Sequence, residues 1–205
     1  SDEPETIKKN VTREDMETKF KNILEKGGMT EVIFSDEFGR MRKNYKDVEN
    51  KDTLVELIYN HIRAKFRHSH YPVSDEYFAG IFYTALRRKD IEAQLVAVPN
   101  KFLTSMDNLV LTRELIYCVK YKDHFIFPTQ SCSNVYENDK FYDGQKGFAA
   151  RMDDRGRKVE SVMDITLPAS TFNDNVEDDI YDVSIKADNF EQVNVVDTSS
   201  YKGMF

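Results

Sequence analysis

Apolar positions spaced at three and four residues mark the strongest local signal in the chain. Phe78, Ile81, Phe82, Ala85 and Leu86 form one stripe at helical period, which predicts a helix over residues 75–89. A second such stripe (Met16, Phe20, Ile23, Leu24) follows Thr12-Arg13-Glu14-Asp15, a capping-box arrangement, and Gly27-Gly28 is expected to end that helix. A third runs through Leu54, Leu57, Ile58, His61, Ile62 and Phe66 from a start near Asp52. His61 lies on this stripe and reads as a hydrogen-bonded core histidine. Between these helices, residues 29–47 read as a connector pinned to the core by Phe34, Phe38 and Tyr45.

Downstream the pattern shifts toward strands. Residues 91–98, 109–121 and 124–128 are rich in Val, Leu, Ile, Tyr and Phe, and Lys122-Asp123 supplies a tight turn between the last two. Shorter alternating runs follow at residues 159–163, 180–185 and 193–196. The expected class is α+β, with the 75–89 helix packed on an antiparallel sheet. The chain divides into a helical and connector segment (1–50), a core (51–145) and an acidic β-rich extension (146–205) that could begin a further domain.

Charge and composition narrow the function classes. The 205 residues are 40% hydrophobic and 32% charged, an ordinary globular balance, with a net charge of −7. Residues 151–205 hold 12 acidic and 6 basic residues, so most of that charge lies in the extension. Basic stretches are short and belong to different elements, which argues against a nucleic-acid surface. No apolar run approaches the roughly 18 residues of a membrane span, and no Gly-rich phosphate loop occurs. The start at Ser1 and the stop at Phe205 within strand-like sequence read as a processed or recombinant fragment of a longer protein.

Metal chemistry finds little footing. His68-Ser69-His70 lacks a third ligand, and Glu177-Asp178-Asp179 reads as a solvated acidic loop before a candidate cation site. Cys118 and Cys132 have no zinc spacing, and a buried free thiol is the expected state of a cysteine in a strand. No cofactor is implied.

The segment from Ser74 to Ala93 (SDEYFAGIFYTALRRKDIEA) resembles the signature of the transglutaminase-like, papain-related superfamily. There a cysteine opens a helix that leaves through Leu-Arg-x-x-Gly-Ile-x-Ala. The helix and the Leu86-Arg87…Ile91-Glu92-Ala93 exit align, but Asp75 stands at the cysteine position. The resemblance covers residues 52–135. It implies a base on the 109–121 strand, where Glu114 matches within a register spanning Thr112 to Glu114, and an aspartate where Phe127-Pro128-Thr129 has phenylalanine. No histidine lies between Tyr71 and Asp123, so no register supplies the imidazole that activates the thiol.

The chain is therefore identified as a degenerate member, a pseudoenzyme lacking the Cys-His-Asp set. Ser74 and Asp75 are both good helix caps. The expectation is that Asp75 accepts from the backbone N–H of Tyr77 or Phe78 while Phe127 fills the former aspartate site and closes it. The function expected is a non-catalytic module that binds a peptide, a glycan or a neighbouring domain of the same protein, or spaces domains apart. The alternative is a hydrolase with a replaced set, either Cys132 with His124 or Asp75 with Glu114 as a carboxylate pair. Relatives of this type occur in large bacterial envelope proteins, which points to the cell envelope or periplasm.

Overall fold

The computed structural model describes residues 11–33, 35–67, 74–99, 114–128, 135–136, 142–169, 176–186 and 189–202. In chain order they form α1 (Arg13–Ile33), α2 (Ser35–Asn44), α3 (Lys51–Arg67), α4 (Asp75–Arg87), β1 (Gln94–Pro99), β2 (Leu115–Tyr121), β3 (His124–Ile126), β4 (Lys146–Met152), β5 (Val159–Thr166), β6 (Val176–Lys186) and β7 (Asn189–Lys202). The α+β class expected from the pattern is the one observed.

Helix α1 starts as its capping box requires. Thr12 Oγ1 accepts from the Asp15 backbone N–H, and Asp15 Oδ2 accepts from the Thr12 N–H and hydroxyl. It does not stop at Gly27-Gly28 but continues to Ile33. Glycine inside a helix costs only about 1 kcal/mol relative to alanine, so it weakens a helix without ending it. The supposed connector over 29–47 is correspondingly the end of α1 plus α2. Polar α2 has acids in its first turn (Asp36, Glu37) and bases in its last (Arg42, Lys43), each favoured by the helix dipole. It buries Phe38 and Met41, and Tyr45 beyond it packs on the core. Phe34 lies outside the described residues.

Helix α4 is buried nearly all round: Ala79, Gly80 and Tyr83 join the predicted stripe. At Gly80 an added Cβ would stand 3.0 Å from the Ile23 carbonyl oxygen, so glycine lets α1 cross α4 closely. The helix ends with Asp90 at φ 52 and the Ile91 N–H returning to the Leu86 carbonyl. This is the left-handed exit at which glycine is usual and aspartate tolerated.

Five strands form one antiparallel sheet in the order β3-β2-β1-β4-β5. Its α-facing side carries Leu95, Ala97, Leu115, Tyr117, Val119, Tyr121, Ile126 and Phe148, packed with α1, α3 and α4. The other side carries Val96, Val98, Cys118, Phe125, Phe127 and Ala149, covered by Tyr142 and Leu167. Both faces of β1 and β2 are therefore apolar, which explains their continuous hydrophobic runs. The predicted packing of the 75–89 helix on strands around 91–98, 109–121 and 124–128 is observed, although residues 109–113 lie outside the described set.

The compact units divide after Pro168, not near residue 146. Strands β4 and β5 complete the first unit's sheet, so the acidic extension proper begins at Ala169. In the second unit β6 and β7 pair as one long antiparallel hairpin. Glu177, Asp178 and Asp179 belong to β6 and not to a loop.

Candidate functional site

The first turn of α4 is where the chemistry of the site would reside. Ser74, with φ −69 and ψ 151, is the cap: its Oγ accepts from the Tyr77 N–H at 3.3 Å. Asp75 is the first helical residue, so the expectation that its carboxylate caps the helix is corrected. Serine one position earlier has the extended backbone a cap needs. Asp75 is instead half-buried, and burial, then the neighbouring Glu76 charge, push its carboxyl above the usual range.

Glu76 pairs with Lys19 of α1 at 2.5 Å, and the Lys19 ammonium sits 5.7 Å from the ring centre of Tyr117 on β2. Tyr117 is fully buried, with Phe20 edge-on at 6.3 Å. Its hydroxyl pKa is raised, chiefly by burial and further by Glu76. The strand residue electrostatically coupled to the first turn of α4 is thus Tyr117.

Glu114 lies one residue before β2 and is half-buried. Phe127 is fully buried on the sheet face away from α4, stacked on Tyr142 with ring centres 4.0 Å apart and planes 12° apart. It does not close the space beside Asp75, because side chains alternate along the chain and Ile126 takes the α-facing place. What Phe127 presents toward the helices is its carbonyl, which accepts from the buried Tyr59 hydroxyl of α3 at 3.1 Å. Asp75 and Phe127 are not gathered on one face.

The second candidate set is not assembled among the described residues, since Cys132 lies outside them. His124 is half-buried on β3, and its Nδ1 donates to the Tyr136 carbonyl at 3.1 Å. It belongs to a tether: Asp52 at the start of α3 accepts from the Tyr121 hydroxyl at 2.7 Å and Lys122 Nζ at 2.5 Å. The Lys122 contact, then Tyr121, holds the Asp52 carboxyl below its ordinary range. The Tyr136 hydroxyl donates to the Asp52 carbonyl.

His61 is bonded at both ring nitrogens, Nε2 to Glu37 at 2.9 Å and Nδ1 to the Tyr45 hydroxyl at 3.1 Å. That is the core role read from the stripe. Glu37 also meets Lys65 at 2.7 Å and Arg40 at 3.1 Å. Burial alone would raise the Glu37 pKa, but the hydrogen bonds from Lys65 and His61 outweigh it and the pKa is lowered. Glu37 escaped notice because it fell in the supposed connector, and Tyr45 was read there only as an anchor to the core.

His68 and His70 lie outside the described residues, and among those described no group of three or more His, Cys, Asp or Glu could hold a metal ion. No described helix is long and apolar enough to cross a membrane.

At the opposite, C-terminal end of α4 two clefts open, of about 930 Å³ and 870 Å³. Both are lined by Tyr83, Arg87, Asp90, Asp154 and Gly156. No local motif announced them, since the walls they share come from α4 with its exit and from the turn between β4 and β5.

No family model, curated protein or solved structure matches this chain.

Proposed function

We propose that the first unit is a transglutaminase-like domain without transglutaminase chemistry, serving a larger bacterial protein as a binding or spacer module. The observation that carries this is the make-up of the α4 N-terminus. Ser74 performs the capping, Asp75 occupies the helix-opening position without being a thiol nucleophile, and the strand residue coupled to that turn is a buried tyrosine. An acyl-transfer site needs a thiolate and an imidazole in contact, oriented by a third group. The exit of α4 supports the family reading, since Asp90 stands at the motif's glycine and adopts φ 52. A peptide, a glycan or an adjacent domain remains the proposed class of partner.

One observation favours a second reading. A half-buried carboxyl with a raised pKa is what a general acid requires, so Asp75 could serve a hydrolase with Glu114 as its companion.

Asp75→Cys tests the module reading, and Asp75→Asn assayed on aryl glycosides separates it from the carboxylate-pair reading. On the module reading the variant gains no iodoacetamide-sensitive turnover of a glutamine donor, because base and orienter are still missing. Appearance of such turnover would mean that the remaining site is functional.

A further inference from the structure

We propose that the 870 Å³ cleft between the last turn of α4 and the β4–β5 turn binds a small phosphate-bearing anion, held by Arg87, Arg155 and Arg157. The inference stands on this cleft alone and is separate from the chemistry of the α4 N-terminus.

In a chain of net charge −7, arginines from two elements about seventy positions apart converge on one concavity. Guanidinium forks match phosphate oxygens in pairs, which single ammonium groups do not. Asp90 and Asp154 also line the cleft, and its four arginines, Arg88 included, leave it positive by two charges. Arg88 adds to the wall, but its guanidinium is engaged over the Phe38 ring at 4.5 Å. The volume is that of a site for an organic molecule of metabolite size.

The cleft is built rigidly. Asp153 accepts from the backbone N–H groups of Arg157 at 2.5 Å and Lys158 at 2.9 Å, and its carboxyl is held low by those two bonds. That leaves its charge committed to shaping the turn. Gly156 sits at φ +62 directly over Arg87, where an added Cβ would be 2.1 Å from Arg87 Nε. The Tyr83 hydroxyl donates to the Gly156 carbonyl at 3.2 Å and fastens the turn to α4. Burial, partly offset by Arg87 and reinforced by Asp153, pushes the Tyr83 pKa up to about 12, so it stays a donor.

Arg87 Nε is buried and has no hydrogen-bond acceptor among the described residues. A buried donor left unpaired is costly, so this guanidinium is held beside the cleft with its own bonding incomplete.

The test is isothermal titration of the full chain with pyrophosphate and inorganic phosphate at low and high salt. Vesicles of phosphatidylcholine with and without a phosphoinositide form a second arm. Arg155→Gln/Arg157→Gln alters two exposed turn residues and leaves the core intact, so loss of fold does not confuse the result. Saturable pyrophosphate binding that weakens at least tenfold in the double variant, and weakens with salt, supports a soluble ligand. Phosphoinositide-dependent sedimentation lost in the same variant supports a lipid headgroup as the source. No saturation in either arm, or equal binding by wild type and double variant, overturns the proposal.

Discussion

Replacing Ser74 by Ala and Asp75 by Asn, one at a time, separates the cap from the residue beside it. Ser74 Oγ accepts from the Tyr77 N–H at 3.3 Å, at the long end of useful hydrogen bonds, so its loss should cost about 0.5–1 kcal/mol. For a folding unit of this size that lowers Tm by about 2–4 °C per kcal/mol. Asp75→Asn should be neutral or stabilising at pH 7, because burial opposes the charge more than the helix N-terminus favours it. The sign follows from a folded-state pKa above the unfolded value of 3.8: ionised Asp75 costs stability above the folded pKa, and the cost disappears below the unfolded one. The gap between Asp75→Asn and wild type should therefore close as pH falls toward 4. Urea unfolding at pH 7 and pH 4, with unchanged m-values, reads both effects. A larger loss from Asp75→Asn than from Ser74→Ala would refute the assignment of the cap.

Other perturbations probe the rest of the fold. Phe127→Ala should cost about 3–5 kcal/mol, since a fully buried ring stacked on Tyr142 is removed; a cost under about 1 kcal/mol in denaturant unfolding would place that ring at the surface. Glu37→Gln should cost about 1–2 kcal/mol at pH 7. Because the folded Glu37 pKa lies below 4.5, that difference should fade as pH drops through it, which parallel melts at pH 7 and pH 3 will read. Cys118 is fully buried and its thiol pKa is pushed up by that burial, so peptide mapping should find it unalkylated by iodoacetamide until denaturant is added.

How far the chain could be read in advance depended on whether a signal was local. Helix α4 was legible because its stripe repeats at helical period and is bounded by Ser74, and the hairpin was legible from its apolar runs around Lys122-Asp123. Helix α2 was not, since only Phe38 and Met41 of its ten residues are apolar and buried. The strand position facing α4 escaped for a different reason. Strand β2 is buried on both faces, so Tyr117 and Cys118 look alike in sequence, and nothing local separates the α-facing set from the other. Adjacent Ser74 and Asp75 are both competent caps, and only the backbone of Ser74 decides between them. The arginine cleft joins residues 83–90 to 154–157, a juxtaposition that no periodicity encodes.

The most direct measurement is turnover by the unmodified chain against an amine with a glutamine donor, a peptide library and a set of aryl glycosides, with Asp75→Asn as control. A non-catalytic module predicts rates equal to the buffer blank for every substrate and for both proteins. Turnover that the wild type shows and Asp75→Asn lacks would contradict it and make the half-buried carboxyl a working group.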